Sequence, residues 1–147
     1  MKKIIMALVL ALGFGATVQA RDEIVRDINQ LPEQAKIVLD KNFKAKVSFI
    51  KIDRNVLNNI EDYEVVLVDG TEVKFDASGA WDSVETPLNK AVPSAFIPEK
   101  TAEFVKNNYK RARIVSIDKE RYGYDVELSN GVDLVFDRNG VFDHIDD

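Results

Sequence analysis

The chain has 147 residues, of which 46% are hydrophobic and 31% are charged, and its formal net charge is −5. These values are typical of one globular domain of ordinary size. The sequence contains no cysteine and one histidine, His144, which excludes disulfides, thiolate catalysis, iron–sulfur clusters, cysteine-liganded zinc and histidine metal clusters.

The first 20 residues have the pattern of a bacterial export signal. Lys2 and Lys3 form a basic start, residues 4–14 form an apolar run, and residues 18–20 supply small side chains for cleavage. The apolar run is too short to span a bilayer comfortably. No cysteine follows it, so a lipoprotein is excluded. We therefore predict a signal peptide over 1–20, a mature chain of residues 21–147 without a membrane span, and a periplasmic or secreted location.

The net charge of the predicted mature chain disfavours some classes of binding partner. Loss of the leader removes Lys2 and Lys3 from the 20 basic residues and leaves 18 against 25 acidic ones, a formal charge of −7. A net negative charge argues against nucleic acid and against anionic membrane surfaces as partners.

We interpret residues 21–30 as an extended arm or a short strand. The first predicted helix follows this segment. Pro32 and Glu33 begin this helix, because proline in the first turn loses no useful N–H and glutamate suits the positive end of the helix dipole. The helix runs to about Phe43, and its inward stripe consists of Ala35, Val38, Leu39 and Phe43. A strand over about 46–53 follows, and residues 54–62 are predicted to form a long loop.

Residues 63–82 alternate apolar and polar side chains between glycine-containing turns, which predicts antiparallel strands. A three-residue loop over 68–70 would place one apolar set on one face, with Gly70 in the left-handed conformation. Its predicted pairs are Tyr63 with Phe75, Val65 with Val73, and Leu67 with Thr71. The register of the last strand stays open, because simple alternation sends Trp81 and Val84 to opposite faces.

The same pattern occurs a second time. Residues 124–143 match residues 63–82 without a gap, and Pro98 and Glu99 repeat the helix start. A fixed offset of this kind indicates a duplicated supersecondary unit. We predict one α+β domain with two tandem α-β-β-β-β units, at about 31–86 and 97–147, joined by a linker over 86–96. Together they would form an antiparallel sheet of about eight strands with both helices on one face.

These motifs resemble the exported PepSY-like proteins, which share the β-lactamase-inhibitor-like fold. The resemblance is carried by the Leu-Pro and Ile-Pro helix starts and by the Tyr-x-Val-x-Leu…Gly…Phe-Asp-x-x-Gly pattern of each unit. It covers about residues 22–147. It implies tandem units, export and no catalytic residues. It also implies a binding role, because the inhibitor relatives bind an enzyme through the exposed face of their sheet.

The predicted partner-binding residues follow from the same alternation. Because the helices can cover only one face, the other face stays open to a partner. Its predicted members are Glu64, Val66, Glu72, Lys74, Asp125, Glu127, Asp133 and Val135. Strand positions of this kind are rigid, so a partner can bind them without ordering a loop first.

A calcium site is the alternative, at Asp137, Asn139 and Asp143. Calcium accepts carboxylate and amide oxygens, although this set lacks several ligands of an EF-hand loop, and aspartate and glycine in hairpin turns usually form the turn itself. We predict no enzyme activity and no cofactor other than possible calcium. The leading hypothesis is an inhibitor-like module that docks a protein or peptide of the cell envelope. The alternative is a small-ligand or calcium-responsive periplasmic protein.

Overall fold

A computed structural model describes residues 22–146, so the predicted signal peptide, Arg21 and Asp147 lie outside the described residues. The helices are α1 (Glu33–Asn42) and α2 (Glu99–Asn108). The strands are β1 (Glu23–Val25), β2 (Val47–Arg54), β3 (Ile60–Leu67), β4 (Glu72–Asp76), β5 (Trp81–Glu85), β6 (Ile114–Lys119), β7 (Gly123–Leu128), β8 (Asp133–Asp137) and β9 (Phe142–Asp146). Single 3-10 turns at Ile28–Gln30 and Ser94–Phe96 precede the helices.

The nine strands form one antiparallel sheet in chain order, from β1 at one edge to β9 at the other. Both helices lie on one side of this sheet, and each is followed by four strands. The α+β prediction is therefore confirmed. The ninth strand comes from the arm before α1, where Val25 pairs with Ile50 of β2. Neither helix in residues 22–146 is long and apolar enough to cross a membrane.

The predicted hairpin register is confirmed in the first unit. Tyr63 pairs with Phe75 and Val65 pairs with Val73, while the amide of Leu67 donates to the carbonyl of Thr71 at 2.8 Å. In the second unit the matching pairs are Tyr124 with Phe136, Val126 with Leu134, and Leu128 with Val132. Because a slip of one residue would turn every side chain over, the apolar pattern alone fixes this register.

A β-bulge settles the strand whose register the sequence left open. Phe75 pairs with Trp81, whereas the neighbouring Lys74 pairs with Ser83, so Asp82 is an extra residue on β5. An extra residue shifts the alternation by one. Trp81 and Val84 therefore both turn toward the helices, and the same bulge recurs between β8 and β9.

The predicted loop over 54–62 is wrong in extent. Strand β2 continues to Arg54 and β3 begins at Ile60, so only residues 55–59 of the predicted loop lie outside the strands. The side chain of Asn55 accepts from the amides of Leu57 and Asn59, both at 3.0 Å. These bonds close a short turn, which lets strand pairing continue where the sequence indicated a loop.

The hydrophobic core fills the space between the sheet and the two helices. The helices contribute Ala35, Leu39, Thr101 and Val105 as buried residues. Phe104 of α2 stacks on Phe142 of β9 with ring centroids 4.2 Å apart. The largest fully buried side chains belong to the strands, namely Phe75, Phe136, Ile50, Ile52, Leu67, Ile117, Leu128 and Leu134.

Each helix begins against a glycine turn of its own unit. A Cβ atom at Gly140 would lie 2.6 Å from Cβ of Pro98, and the hydroxyl of Thr101 donates to the Gly140 carbonyl at 2.9 Å. In the first unit, a Cβ atom at Gly79 would lie 2.8 Å from Cβ of Pro32. The turn glycines therefore set how closely the start of each helix approaches the sheet.

We predict that Gly140→Ala destabilises the protein more than Gly131→Ala. Both glycines have positive φ, 75° and 84°, so both alanines lose about 1 kcal/mol to the left-handed conformation. Of these two positions, only Gly140 has atoms of other residues within 4 Å of the added Cβ. The overlap of this Cβ with Pro98 should lower the free energy of unfolding by about 1–3 kcal/mol more. Denaturant unfolding of the two variants measures the difference, and equal losses would contradict the packing argument.

Candidate functional site: the open face of the sheet

The sheet register gathers the predicted partner-binding residues on the face opposite the helices. In the first unit Glu64 pairs with Lys74, and Val66 pairs with Glu72. In the second unit the pairs are Asp125 with Val135 and Glu127 with Asp133. We refer to this side of the sheet as the open face.

The middle of the open face consists of residues that the sequence reasoning missed. Glu85 pairs with Glu72 on one side and with Ser116 on the other, and Ser116 pairs with Glu127. These residues connect the two predicted groups into one row. Glu85 was missed because the register of β5 depends on the bulge at Asp82. The sequence pattern that could have indicated it is the alternation of Ser83 and Glu85 with the apolar Val84.

A hollow of about 480 Å³ lies over the middle strands of the open face. We call it the central hollow. Its lining contains seven carboxylate side chains, two lysines and one serine: Asp62, Glu64, Glu72, Asp82, Glu85, Asp118, Glu120, Lys74, Lys119 and Ser83. Carboxylates of this number on one surface create a negative potential that attracts cations.

Glu85 lies at the centre of this acidic surface. Burial, together with the neighbouring carboxylates of Glu72 and Glu127, raises the pKa of Glu85 to about 7. Its Oε2 atom is buried and accepts no hydrogen bond from the protein. Burial and the nearby carboxylate of Glu64 also raise the pKa of Glu72. Glu85 and Glu72 are therefore surrounded by groups that oppose their ionisation.

The lysines on and beside the open face already have partners. The ammonium of Lys74 lies 3.4 Å from Asp62, and that of Lys51 lies 3.3 Å from both Asp22 and Asp53. The ammonium of Lys119 lies 3.7 Å from the ring centroid of Trp81. Lys51 and Lys74 hold their positive charge in the first unit, whereas Lys119 lies at the end of β6 in the second unit.

A second hollow, of about 460 Å³, lies near strand β9. We call it the edge hollow, and it is lined by Tyr122, Val135, Phe136, Asp137, Asp143, His144 and Asp146. The hydroxyl of Tyr122 donates to Asp125 at 2.5 Å. Val135 is only 7% exposed, so this predicted partner-binding residue lies in the hollow and offers little surface of its own.

The candidate calcium residues form a turn. The Oδ1 atom of Asp137 accepts from the amides of Asn139 and Val141, at 2.8 and 2.9 Å. Asp143 contacts the ring of His144 at 2.7 Å. Within residues 22–146, no three histidine, cysteine, aspartate or glutamate side chains come together in an arrangement that could hold a metal ion.

Comparison with models of protein families identifies the family that has this architecture. The model of the beta-lactamase-inhibitor-like, PepSY-like family matches residues 61–144. The chain belongs to the PepSY-like family. The match runs from the third strand into the last, and so includes the lining of the central hollow and all of the edge hollow except Asp146. A comparison with curated proteins gives no match.

Solved structures resemble this PepSY-like chain over most of its length. A candidate periplasmic protein of unknown function from Bacteroides vulgatus is 37% identical, with a TM-score of 0.79 over 86% of this chain and 100% of the other. A candidate calcium-regulated periplasmic protein from Bacteroides thetaiotaomicron is 31% identical, with a TM-score of 0.77 over 86% and 97% of the two chains. A second Bacteroides vulgatus candidate periplasmic protein is 30% identical, with a TM-score of 0.75 and the same coverage.

We predict that Glu85→Gln stabilises the protein at neutral pH and above. Because the pKa of Glu85 is about 7 in the folded protein and 4.5 as the ordinary value, the folded state holds this proton more tightly than the unfolded state. Stability therefore falls as pH rises from about 4.5 to 7, by about 1–2 kcal/mol after allowance for solvent screening of a partly exposed group.

Unfolding free energies of wild type and Glu85→Gln, measured between pH 4 and 8.5, test this prediction. The two curves should converge at the acidic end and separate with rising pH. Glu103→Gln, on the exposed surface of α2 beyond its first turn, controls for the loss of one carboxylate. Parallel curves for wild type and Glu85→Gln would show that the surroundings of Glu85 do not oppose its ionisation.

Proposed function

We propose that this chain is an exported, non-enzymatic binding protein of the periplasm. It docks a basic protein or peptide segment on the open face of its sheet. The predicted leader supports export. The periplasmic description of the three similar proteins supports the location, and the inhibitor-like family supports a binding role without catalysis.

The surroundings of Glu85 are the observation that carries the proposal. Its Oε2 atom is buried without a donor, and the residues that act on its charge are all acidic: Glu72, Glu127, Asp118 and Glu64. A buried acceptor without a donor costs about 1–3 kcal/mol. A guanidinium or ammonium group from a partner would supply the missing hydrogen bond and neutralise the repulsion.

The shape of the surface also suits docking. The acidic residues on both sides of Glu85 lie on adjacent strands β4 to β8, and each of these strands is paired on both sides. Since these positions are ordered before binding, little conformational entropy is lost when a partner arrives. The negative potential would mainly speed association and select basic partners.

The position of the single histidine favours a binding protein over a hydrolytic enzyme. His144 lies on the edge strand β9, is exposed, and has Asp143 as its contact. A general base needs neighbouring groups that hold its orientation. An exposed edge strand offers few of these, so the geometry suits a surface histidine.

We predict that the double variant Glu72→Lys/Glu127→Lys lowers affinity for an oligo-arginine peptide by about tenfold or more, because it reverses charge on both sides of Glu85. Fluorescence anisotropy of a labelled peptide measures this affinity. The matched control is Asp40→Lys/Glu103→Lys, which makes the same change of net charge at exposed positions of the two helices. Equal losses in both double variants would mean that net charge, and not the open face, attracts the peptide.

A second candidate function is a response to calcium. The observation that favours it is the similar protein from Bacteroides thetaiotaomicron, described as a candidate calcium-regulated periplasmic protein and 31% identical to this chain. In this chain the turn at Asp137 and the side chain of Asp143 remain the proposed ligands. One carboxylate oxygen of Asp137 already accepts two backbone hydrogen bonds within the turn. Substitution of Asp143 is therefore the more informative test.

If calcium binds there, millimolar calcium should raise the thermal midpoint of the wild type, because a ligand that binds only the folded state stabilises it. Asp143→Asn should abolish the shift, whereas Asp82→Asn, at the matching position of the first unit, should keep it. Differential scanning fluorimetry with calcium, magnesium and chelator measures these midpoints. An unchanged wild-type midpoint, or a shift that persists in Asp143→Asn, would rule out this site.

A further inference from the structure

The edge hollow combines an aromatic wall with an apolar floor. Tyr122 is 52% exposed, and its hydroxyl is held by Asp125 at 2.5 Å. Because this bond fixes the hydroxyl, the phenol ring keeps its place at the mouth of the hollow. Val135, which is buried, lines the same hollow. A ligand that enters the hollow therefore meets an aromatic ring and an aliphatic side chain.

The rest of the lining is strongly acidic. Asp137, Asp143 and Asp146 line the hollow, and among its described lining residues there is no lysine or arginine. Burial raises the pKa of Tyr122, and the carboxylate of Asp125 raises it further as hydrogen-bond partner and as charge. The phenol thus lies in a negative potential, which supports an occupant of positive charge.

The duplicated sequence gives an internal comparison. At the matching positions of the first unit, Tyr122 is replaced by Glu61, Val135 by Lys74 and His144 by Ser83. There the place of Val135 is taken by an ammonium that pairs with Asp62 at 3.4 Å. The acidic positions are common to both units, because Asp76 and Asp82 match Asp137 and Asp143. The aromatic wall and apolar floor therefore belong to the second unit.

We propose that the edge hollow binds a small organic cation with an alkylammonium or quaternary ammonium group. Its alkyl groups pack on Tyr122 and Val135, and its charge lies over the ring and close to the carboxylates of Asp143 and Asp146. An ammonium over an aromatic face gains attraction from the ring quadrupole. A bare metal ion would gain nothing from the apolar floor. This site is distinct from the docking of a basic segment along the row centred on Glu85.

Titration with tetramethylammonium chloride, followed by amide NMR shifts of the mature wild-type protein, tests the proposal. We expect saturable shifts at Tyr122, Val135 and His144. The neutral tert-butanol, of similar size and shape, should give no saturable shift, and sodium chloride at the same ionic strength should not reproduce the pattern. Binding of both organic probes alike, or shifts that do not saturate, would overturn the proposal.

Variants of the wall and the floor sharpen the test. Tyr122→Ala should lower the affinity for tetramethylammonium by about tenfold, while Tyr122→Phe should stay within about threefold because it keeps the ring. Val135→Lys, which introduces the first-unit residue, should abolish binding. Thermal unfolding shows whether each variant is folded, and if Val135→Lys is not, the tyrosine pair decides. Wild-type affinity in Tyr122→Ala would overturn the assignment.

Discussion

The contact between each helix start and a glycine turn of the sheet fixes the arrangement of this protein. Pro98 lies against Gly140, and Pro32 lies against Gly79, so closely that a Cβ atom on either glycine would overlap the proline. The hydroxyl of Thr101 adds a hydrogen bond to the Gly140 carbonyl. Because both contacts are on the same side of the sheet, both helices cover that side, and the opposite side stays open.

The open face shows how a regular scaffold can carry an unfavourable charge distribution. The core beneath it consists of fully buried residues such as Phe75, Ile117 and Phe136. Burial of this apolar surface stabilises the sheet enough to tolerate repulsion among Glu72, Glu85 and other carboxylates. Repulsion that folding does not relieve can be relieved by a positively charged partner, which links the strain on this face to the proposed docking function.

The two units share their turns and core positions but differ in their exposed residues. The turns at Asp76 and Asp137 use the same carboxylate-to-amide bonds, so these aspartates are explained by backbone geometry. The differences lie on the open face, where Lys74 stands in one unit and Val135 in the other. Duplication therefore preserved the residues that form turns and the core, and left the exposed strand positions to acquire separate surfaces.

The sequence by itself determined the duplicated α+β architecture, the hairpin register and the helix starts, because apolar alternation, turn glycines and prolines act locally. It also placed eight open-face residues of β3, β4, β7 and β8. Only the tertiary structure decided the place of β5 and β9, because a bulge shifts the alternation by one residue. It likewise brought Glu85 between Glu72 and Ser116, and Tyr122 and Val135 into the lining of one hollow. Such neighbours are set by strand order and by the reach of side chains across strands, and a linear pattern does not contain that information.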